Sequence, residues 1–274
     1  MISRETFVRI RYSQLLLLIL FTVTLSACAT SPTGRSQFTM FSDQQINAMG
    51  AANFEQMRQE KKTVTNAEVR RYAQCVTDAL LAVSPDPHGW EVEVFAADTP
   101  NAFALPGKKI GLYQGMLNLA QTPAQLAAVV GHEIGHVLAR HGNERVSTQY
   151  ATQMGLALAT AVFASGERSN DQLLAALGLG AQVGILLPFS RQHEIEADLM
   201  GLELMARAGF DPRESITLWQ NMSRQGSGNI EFLSTHPGYN TRIQTLQRAM
   251  PDALNLYEQA QQAGRKPSCR RPGS

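Results

Sequence analysis

Residues Pro123 to Gly142 read P-A-Q-L-A-A-V-V-G-H-E-I-G-H-V-L-A-R-H-G, and this stretch decides how the rest of the chain is interpreted. Within it, His132, Glu133 and His136 form the pattern H-E-x-x-H. Residues i and i+4 lie on one face of a helix, so both imidazoles can reach a single metal ion. Glu133 can then hold a metal-bound water and accept its proton.

The flanking residues predict that this motif lies on a helix. Thr122 is placed to cap the helix, Pro123 takes its first position, and Gln125 completes a capping box. Apolar residues recur with helical spacing and form the stripe to be buried: Leu126, Val129, Val130, Val137 and Leu138. The histidine pair is therefore predicted on a helix with one buried face.

A second half-site follows further along the chain. The first motif alone also occurs in buried helices whose histidines simply satisfy local hydrogen bonds. However, Ser190–Asp198 reads S-R-Q-H-E-I-E-A-D, in which Glu194 and Asp198 again have helical i, i+4 spacing. One carboxylate can ligate the metal while the other reaches a ligand histidine. We therefore predict one zinc ion per chain, held by His132, His136 and Glu194, with a fourth position left for water. Asp198 would orient one of the two ligand histidines.

One competing class of metal site is excluded by spacing. The metzincin pattern needs a glycine three residues and a histidine six residues after the second motif histidine. Here those positions hold Ala139 and Gly142, and His141 falls one residue short. We expect His141 and His193 to make structural or surface hydrogen bonds, and His88 to be solvated.

The two motifs belong to a set of five ordered blocks that resembles a known family. The other blocks are T-G-R-S-Q-F at 33–38, N-A-F-A-L-P-G at Asn101–Gly107 and S-T-H-P-G-Y-N-T-R at Ser234–Arg242. Together they resemble the zinc metallopeptidases of the HtpX and CAAX prenyl endoprotease type. Within that family the chain looks similar to the bacterial lipoprotein members, namely the LoiP-like proteins and the protease part of BepA.

The resemblance implies a fold and a set of further site residues. It implies an α+β, mainly helical, zincin-like (gluzincin) domain at 42–263, with a small sheet beside the active-site helix. On family position, His236 and Arg242 would stabilise the oxyanion of the reaction. His236 could instead occupy the water position as a fourth zinc ligand, or simply start a helix.

The block at Asn101–Gly107 is read as a turn-rich loop near the edge of the small sheet. Asn101, Ala102 and Phe103 would then contact substrate, because an exposed edge strand binds an extended peptide through main-chain hydrogen bonds. The alternatives are an ordinary turn residue for Asn101 and a core aromatic for Phe103. Trp90 to Phe95 alternates large and charged residues and is predicted as a strand. Lys108 to Leu119 is expected to form a strand or hairpin.

The amino terminus has the layout of a bacterial lipoprotein signal. Residues 1–27 contain a basic start, an apolar core and Leu25-Ser26-Ala27 before Cys28. On this interpretation Cys28 carries the lipid and 28–41 is a polar connector. The alternatives are an uncleaved transmembrane anchor, or a plain signal with an incidental cysteine.

Two cysteines remain after lipidation, and an oxidising compartment permits a disulfide between Cys75 and Cys269. Such a bond would pin the tail to an early helix; otherwise both are free thiols. The basic tail at 264–274 is expected to be poorly ordered. The apolar stretch at 149–189 is interpreted as a helix pair over the active site or at the bilayer surface, or as core.

Composition limits the classes of function. The 274 residues are 44% hydrophobic and 17% charged, which describes a globular protein. A formal net charge of +1 gives no electrostatic basis for nucleic-acid binding.

The resemblance implies a zinc endopeptidase on the outer membrane, anchored by lipid and facing the periplasm. Its substrates would be misfolded or stalled envelope proteins, and the outer-membrane assembly machinery is a further partner. The alternative is a chaperone or assembly factor for outer-membrane proteins, with a latent zinc site closed by His236.

Overall fold

The computed structural model describes residues 28–163, 189–224 and 231–273. The predicted signal segment 1–27 lies outside these ranges, as does most of the apolar stretch predicted at 149–189. Among the described helices, none is both long enough and apolar enough to cross a membrane.

Helices dominate the described chain, and the strands form two small sheets. The strands are Cys28–Thr30 (β1), Ser36–Phe38 (β2), Glu91–Phe95 (β3), Ala102–Leu105 (β4) and Lys109–Tyr113 (β5). The helices are Asp43–Glu60 (α1), Ala67–Leu81 (α2), Gln114–Leu119 (α3), Pro123–Leu138 (α4), His141–Phe163 (α5), Arg191–Ala208 (α6), Arg213–Arg224 (α7), Glu231–Thr235 (α8) and Tyr239–Gln262 (α9). The predicted α+β class with a helical majority is confirmed.

The larger sheet has the strand order β3-β5-β4, and β4 lies at an edge and contacts α4. β3 runs parallel to β5, whereas β4 runs antiparallel to it, with Phe103 opposite Gly111. The sequence prediction of a turn-rich loop at Asn101–Gly107 is therefore wrong for its central residues. Proline and glycine at the end of the block suggested a loop, but only the turn after Leu105 uses them.

The amino-terminal segment predicted as a connector contains a β-hairpin instead. β1 and β2 pair in antiparallel register, with Ala29 opposite Gln37. The turn is closed by the backbone N–H of Ser31, which donates to the carbonyl of Arg35 at 2.8 Å. Strands of three residues between polar turn residues give little sequence signal, so composition alone suggested a linker.

Helix α4 begins where the sequence predicts, with a modified cap. Thr122 Oγ1 accepts from the Gln125 backbone N–H at 3.1 Å, and Pro123 occupies the first turn. The Gln125 side chain does not return to Thr122, as a capping box requires; its Oε1 accepts from the Gln121 backbone at 2.8 Å. Its Nε2 donates to Glu214 on α7 at 2.7 Å, which ties the helix start to α7.

Helices α4 and α6 pack with their backbones almost in contact, because small residues face each other. A Cβ atom built on Gly131 would lie 3.0 Å from the Gly201 carbonyl oxygen, and one on Gly135 would lie 2.9 Å from that of Ala197. One on Gly201 would lie 2.7 Å from the His132 backbone nitrogen. This close approach places the two halves of the predicted metal site side by side.

The carboxyl-terminal tail is ordered against the core, contrary to the sequence prediction. Cys269 is buried and forms a disulfide with Cys75 of α2, with their Cα atoms 5.6 Å apart. The Arg265 side chain donates to the carbonyl of Arg207 at 2.8 Å. The basic composition of the tail concealed these anchors.

Candidate metal centre

Four potential metal ligands converge in the interior of the molecule. His132 and His136 come from α4, Glu194 from α6, and His236 from the turn after α8. One donor atom from each lies within 4.8 Å of the others, and all four side chains are buried. The structure thus brings together the three predicted zinc ligands and the predicted alternative fourth ligand.

The distances between these donor atoms fit a tetrahedral metal ion. His132 Nε2 lies 3.0 Å from His136 Nε2, 3.2 Å from His236 Nδ1 and 3.5 Å from Glu194 Oε2. Glu194 Oε1 lies 3.1 Å from His236 Nδ1 and 3.5 Å from His136 Nε2. Ligands about 2.1 Å from a tetrahedral zinc are about 3.4 Å from one another. The donor set and its spacing therefore fit zinc.

The ionisation states of the ligands suit a cation. Burial and the neighbouring His132 lower the pKa of His136 well below its ordinary value, so this imidazole is neutral. Burial alone would raise the pKa of Glu194, but the charges of His236 and Arg242 outweigh it and hold that pKa well below normal. A neutral histidine and an ionised glutamate are the forms that bind zinc.

Asp198 lies behind the first ligand, where the sequence predicts it. Its Oδ1 atom is 3.0 Å from His132 Nδ1, and both carboxylate oxygens accept from Arg242 at 2.6 Å. Burial raises the pKa of Asp198, but the charge of Arg242 dominates and lowers it overall. A carboxylate on the outer nitrogen fixes the ring orientation of a ligand histidine.

Arg242, which was predicted to contact the oxyanion of the reaction, instead pairs with the carboxylates of Glu194 and Asp198. Its Nη1 atom lies 2.6 Å from Glu194 Oε2, and its guanidinium sits 3.8 Å from the ring centroid of Trp219. Both oxygens of Asp198 also accept from Arg242, so the guanidinium contacts Glu194, Asp198 and the ring of Trp219. Arg242 is not among the residues that line the cleft in the described structure.

The second ligand histidine is also supported from behind. His136 Nδ1 lies 2.9 Å from His141 Nδ1, and His141 Nε2 lies 3.0 Å from Glu196 Oε2. Burial lowers the pKa of His141 to about 4 despite the hydrogen bond to Glu196, so His141 is neutral at pH 7. His141 has the wrong spacing to ligate, but it contacts a ligand directly.

Glu133 faces a cleft that reaches the metal site from outside. Its Oε1 atom is buried and has no hydrogen-bond partner among the described residues, and it lies 3.6 Å from His236 Nε2. The cleft has a volume of about 310 Å³ and is lined partly by Asn101, Ala102 and Phe103. These three predicted substrate contacts therefore do border the cleft that holds the predicted base.

Phe103 also belongs to an aromatic cluster, the alternative foreseen for it. Its ring centroid lies 6.0 Å from that of Phe95 and 6.3 Å from that of Tyr113. Asn101 is buried and its Oδ1 accepts from the Ala102 backbone at 2.9 Å. Both residues combine a structural contact with a place beside the cleft.

Two residues that line the cleft, Arg145 and Phe189, were not predicted from the sequence. Phe189 stacks on the ring of His136 at 3.9 Å between centroids, and the Arg145 guanidinium lies 3.9 Å from the Phe189 ring. Burial lowers the pKa of Arg145 to about 10, although the charges of Glu133 and Glu194 oppose the shift. Arg145 follows His141 by one helical turn on α5, and this spacing was the available signal.

The helical majority, the small sheet and the H-E-x-x-H helix place this domain in the zincin-like metallopeptidase class, as predicted. The model of peptidase family M48 matches residues 63–250. The chain belongs to peptidase family M48. The broader resemblance stated from the sequence, to H-E-x-x-H metallopeptidases, is thereby confirmed.

Curated relatives include mitochondrial and bacterial proteins. The mitochondrial metalloendopeptidase OMA1 of Schizosaccharomyces pombe is 38% identical over 187 residues, which cover 66% of this chain and 53% of the relative. The Bos taurus metalloendopeptidase OMA1 is 32% identical over 245 residues, covering 82% and 46%. The β-barrel assembly-enhancing protease of Escherichia coli is 31% identical over 156 residues, covering 53% and 31%. The chain thus spans about half the length of the OMA1 relatives.

The predicted location on a bacterial outer membrane is wrong by this comparison, as is the predicted task of cleaving periplasmic envelope proteins. The S. pombe relative, at 38% identity, carries a mitochondrial name, whereas the E. coli relative is 31% identical. The motifs behind the prediction lie in the domain that both groups match. Such motifs report the metal site and do not distinguish compartments.

Proposed function

We propose that this chain is a zinc-dependent endopeptidase, with the ion held by His132, His136 and Glu194 and the base supplied by Glu133. One observation carries the proposal: the buried donor atoms have tetrahedral spacing, and Glu133, which lies between His132 and His136 on α4, lines the cleft. The family is metal-dependent, and the names of the relatives support endopeptidase activity.

The chemistry follows from the chain's own residues. Zinc, when bound, would supply a Lewis acid that lowers the pKa of water to about 7. Glu133 takes the proton of the attacking water and returns it to the leaving amide nitrogen. Asp198 and Arg242 hold His132 and Glu194 in place from behind. We therefore assign Arg242 a positioning role in place of the predicted oxyanion contact.

Protein substrates would bind along the edge of the larger sheet. β4 is an edge strand in the described sheet, and its residues line the cleft beside Glu133. A substrate strand can pair with such an edge through main-chain hydrogen bonds, which favours extended or unfolded polypeptide over compact domains. Asn101, Ala102 and Phe103 are the proposed contacts.

His236 would regulate the same site. Its Nδ1 atom completes the tetrahedron of donors, so the described arrangement leaves no ligand position for water. We propose that this is a latent state and that His236 withdraws when the enzyme is active.

Lipid attachment at Cys28 remains a proposal from the sequence alone.

The test is metal-dependent cleavage by the purified full chain. We expect bound zinc, cleavage of an unfolded protein such as reduced carboxymethylated lactalbumin, loss of cleavage with a chelator, and recovery with added zinc. Internal fragments of the substrate would establish an endopeptidase. A zinc-loaded chain that leaves both unfolded proteins and extended peptides intact, also after His236→Ala substitution, would refute the proposal.

A further inference from the structure

Of the five sequence blocks, only T-G-R-S-Q-F at 33–38 has no role in the proposed function. It forms the turn and second strand of the amino-terminal hairpin, and its polar side chains contact glutamates of two helices. Thr33 Oγ1 donates to Glu196 Oε1 at 2.5 Å, and Arg35 Nε donates to Glu196 Oε2 at 3.1 Å. Glu196 on α6 is thus held by two side chains of the hairpin.

The hairpin also holds the region where the metal-binding helix ends. Arg35 donates from both terminal nitrogens to Glu144 of α5, each at 2.7 Å. Gln37 Nε2 donates to the carbonyl of Ala139, the residue after α4, at 2.6 Å, and to Glu144 Oε2 at 3.0 Å. One hairpin therefore bridges α6 to the junction of α4 and α5.

The contacts continue from Glu196 to a metal ligand. His141 Nε2 lies 3.0 Å from Glu196 Oε2, and because a carboxylate oxygen accepts, the ring nitrogen is the donor. The other ring nitrogen of His141, Nδ1, then accepts from His136 Nδ1 at 2.9 Å. His136 is left with a bare Nε2, the atom that faces the other ligands. The chain of bonds fixes the tautomer that a metal ion requires.

The two ligand histidines are supported in parallel ways. His132 has the carboxylate of Asp198 directly on its outer nitrogen. His136 has the carboxylate of Glu196 at one remove, with His141 between them. Carboxylates on the outer nitrogens of ligand histidines orient the rings and increase their affinity for metal.

We propose that His141 and Glu196 are positioning residues for the metal ligand His136, and that the T-G-R-S-Q-F hairpin is the part of the metal site that holds Glu196. This inference rests on the proposed zinc site. It makes the amino-terminal segment a component of the metal centre, joined through Thr33 and Arg35.

The test is zinc affinity of the full-length protein, measured at pH 7.5 by competition with a chromophoric chelator. His141→Phe keeps a buried ring but removes the acceptor for His136, and we expect zinc binding to weaken by about 10- to 100-fold. Arg35→Gln changes a partly exposed hairpin residue and leaves the core intact; we expect a smaller loss, of at least about threefold. The matched control is Glu203→Gln on the exposed face of α6, with affinity within about twofold of wild type.

Two further readouts separate positioning from plain structural support. Cobalt-substituted His141→Phe should show an altered visible spectrum, because the ring of His136 is no longer held. Thermal unfolding of the metal-free variants reports stability independently of the metal. Lower metal-free stability with unchanged zinc affinity and an unchanged cobalt spectrum would overturn the inference.

The outcomes also separate this inference from the proposed function. Normal zinc binding by wild type, with both His141→Phe and Arg35→Gln within about twofold of it, would refute the positioning role and leave the zinc site standing. Failure of wild type to bind zinc would refute both. If His141→Phe does not fold, Arg35→Gln alone decides.

Discussion

The Nδ1 atom of His236 lies 3.2 Å from the Nε2 atom of His132, and both side chains are almost completely buried. Because His236 Nδ1 also lies 3.1 Å from Glu194 Oε1, it closes the set of donor atoms. A zinc ion with four protein ligands has no position for a reacting water, whereas a catalytic site keeps one position open. The described arrangement is therefore that of a closed site.

Replacing His236 should open that site. We expect His236→Ala to retain zinc and to cleave an unfolded protein at least about tenfold faster, since a minor open state is typically populated at 10% or less. The measurement is the initial rate of fluorogenic casein cleavage, with the exposed His88→Ala as control. Reduced cleavage with zinc retained would show instead that His236 stabilises the transition state.

Arg242 should matter for stability because two buried carboxylates depend on it. Arg242→Met leaves Asp198 and Glu194 without their shared cation, and breaking such a buried pair typically costs about 3–5 kcal/mol. Urea unfolding of the metal-free protein measures this loss. Arg248→Met, an exposed change on the same helix, should shift the unfolding free energy by less than about 0.5 kcal/mol. Equal effects of the two substitutions would contradict the assigned role.

The contact between α4 and α6 should not tolerate a single added methyl group. In Gly201→Ala the new Cβ would lie 2.7 Å from the His132 backbone nitrogen, so the helices must separate. We expect lower stability, by about 1–3 kcal/mol, together with weaker zinc binding. Gly155→Ala is the matched control: its Cβ meets no atom of the described residues within 4 Å, and it should stabilise α5 by about 0.5–1 kcal/mol. A Gly201→Ala protein with normal stability and affinity would contradict this packing.

Glu144 should make the hairpin contacts sensitive to acid. Burial alone raises the pKa of Glu144, but hydrogen bonds from Arg35 and His193 outweigh it and lower that pKa from 4.5 to about 2. The unfolded chain therefore takes up a proton near pH 4.5, before the folded protein does. The stabilisation contributed by this carboxylate is complete above pH 4.5 and is lost as the pH falls towards 2.

This prediction is checked by comparing Glu144→Gln with wild type in urea at pH 7 and at pH 3. We expect Glu144→Gln to be the less stable protein at pH 7 and the difference to shrink at pH 3. Acid effects from other carboxylates cancel in the comparison. A difference that stays constant between the two pH values would show that the charge of Glu144 is not the stabilising feature.

Local periodicity was sufficient to predict the residues that share a helix. The i, i+4 spacing of His132 and His136, and of Glu194 and Asp198, needs only helical geometry to be interpreted. The helix cap at Thr122 was also readable, because the capping signal lies within a few residues. These parts of the fold depend on neighbours in the sequence.

Contacts between distant segments could not be read in the same way. His141 was rejected as a ligand on spacing, and nothing local shows that Glu196 approaches it from another helix. The hairpin was taken for a linker because Thr33 and Arg35 find their partners only in the folded protein. Arg242 was assigned to the reacting atoms because its motif gives its neighbourhood but not its direction.

The measurement that tests the central claim most directly compares wild type with Glu133→Gln, both loaded with zinc, in the cleavage of an unfolded protein. Glu203→Gln serves as the matched control. We expect equal zinc content in all three proteins, cleavage by wild type and Glu203→Gln, and a rate at least about 100-fold lower for Glu133→Gln. Cleavage by zinc-loaded Glu133→Gln at the wild-type rate would contradict the assignment of Glu133 as the base of a zinc peptidase.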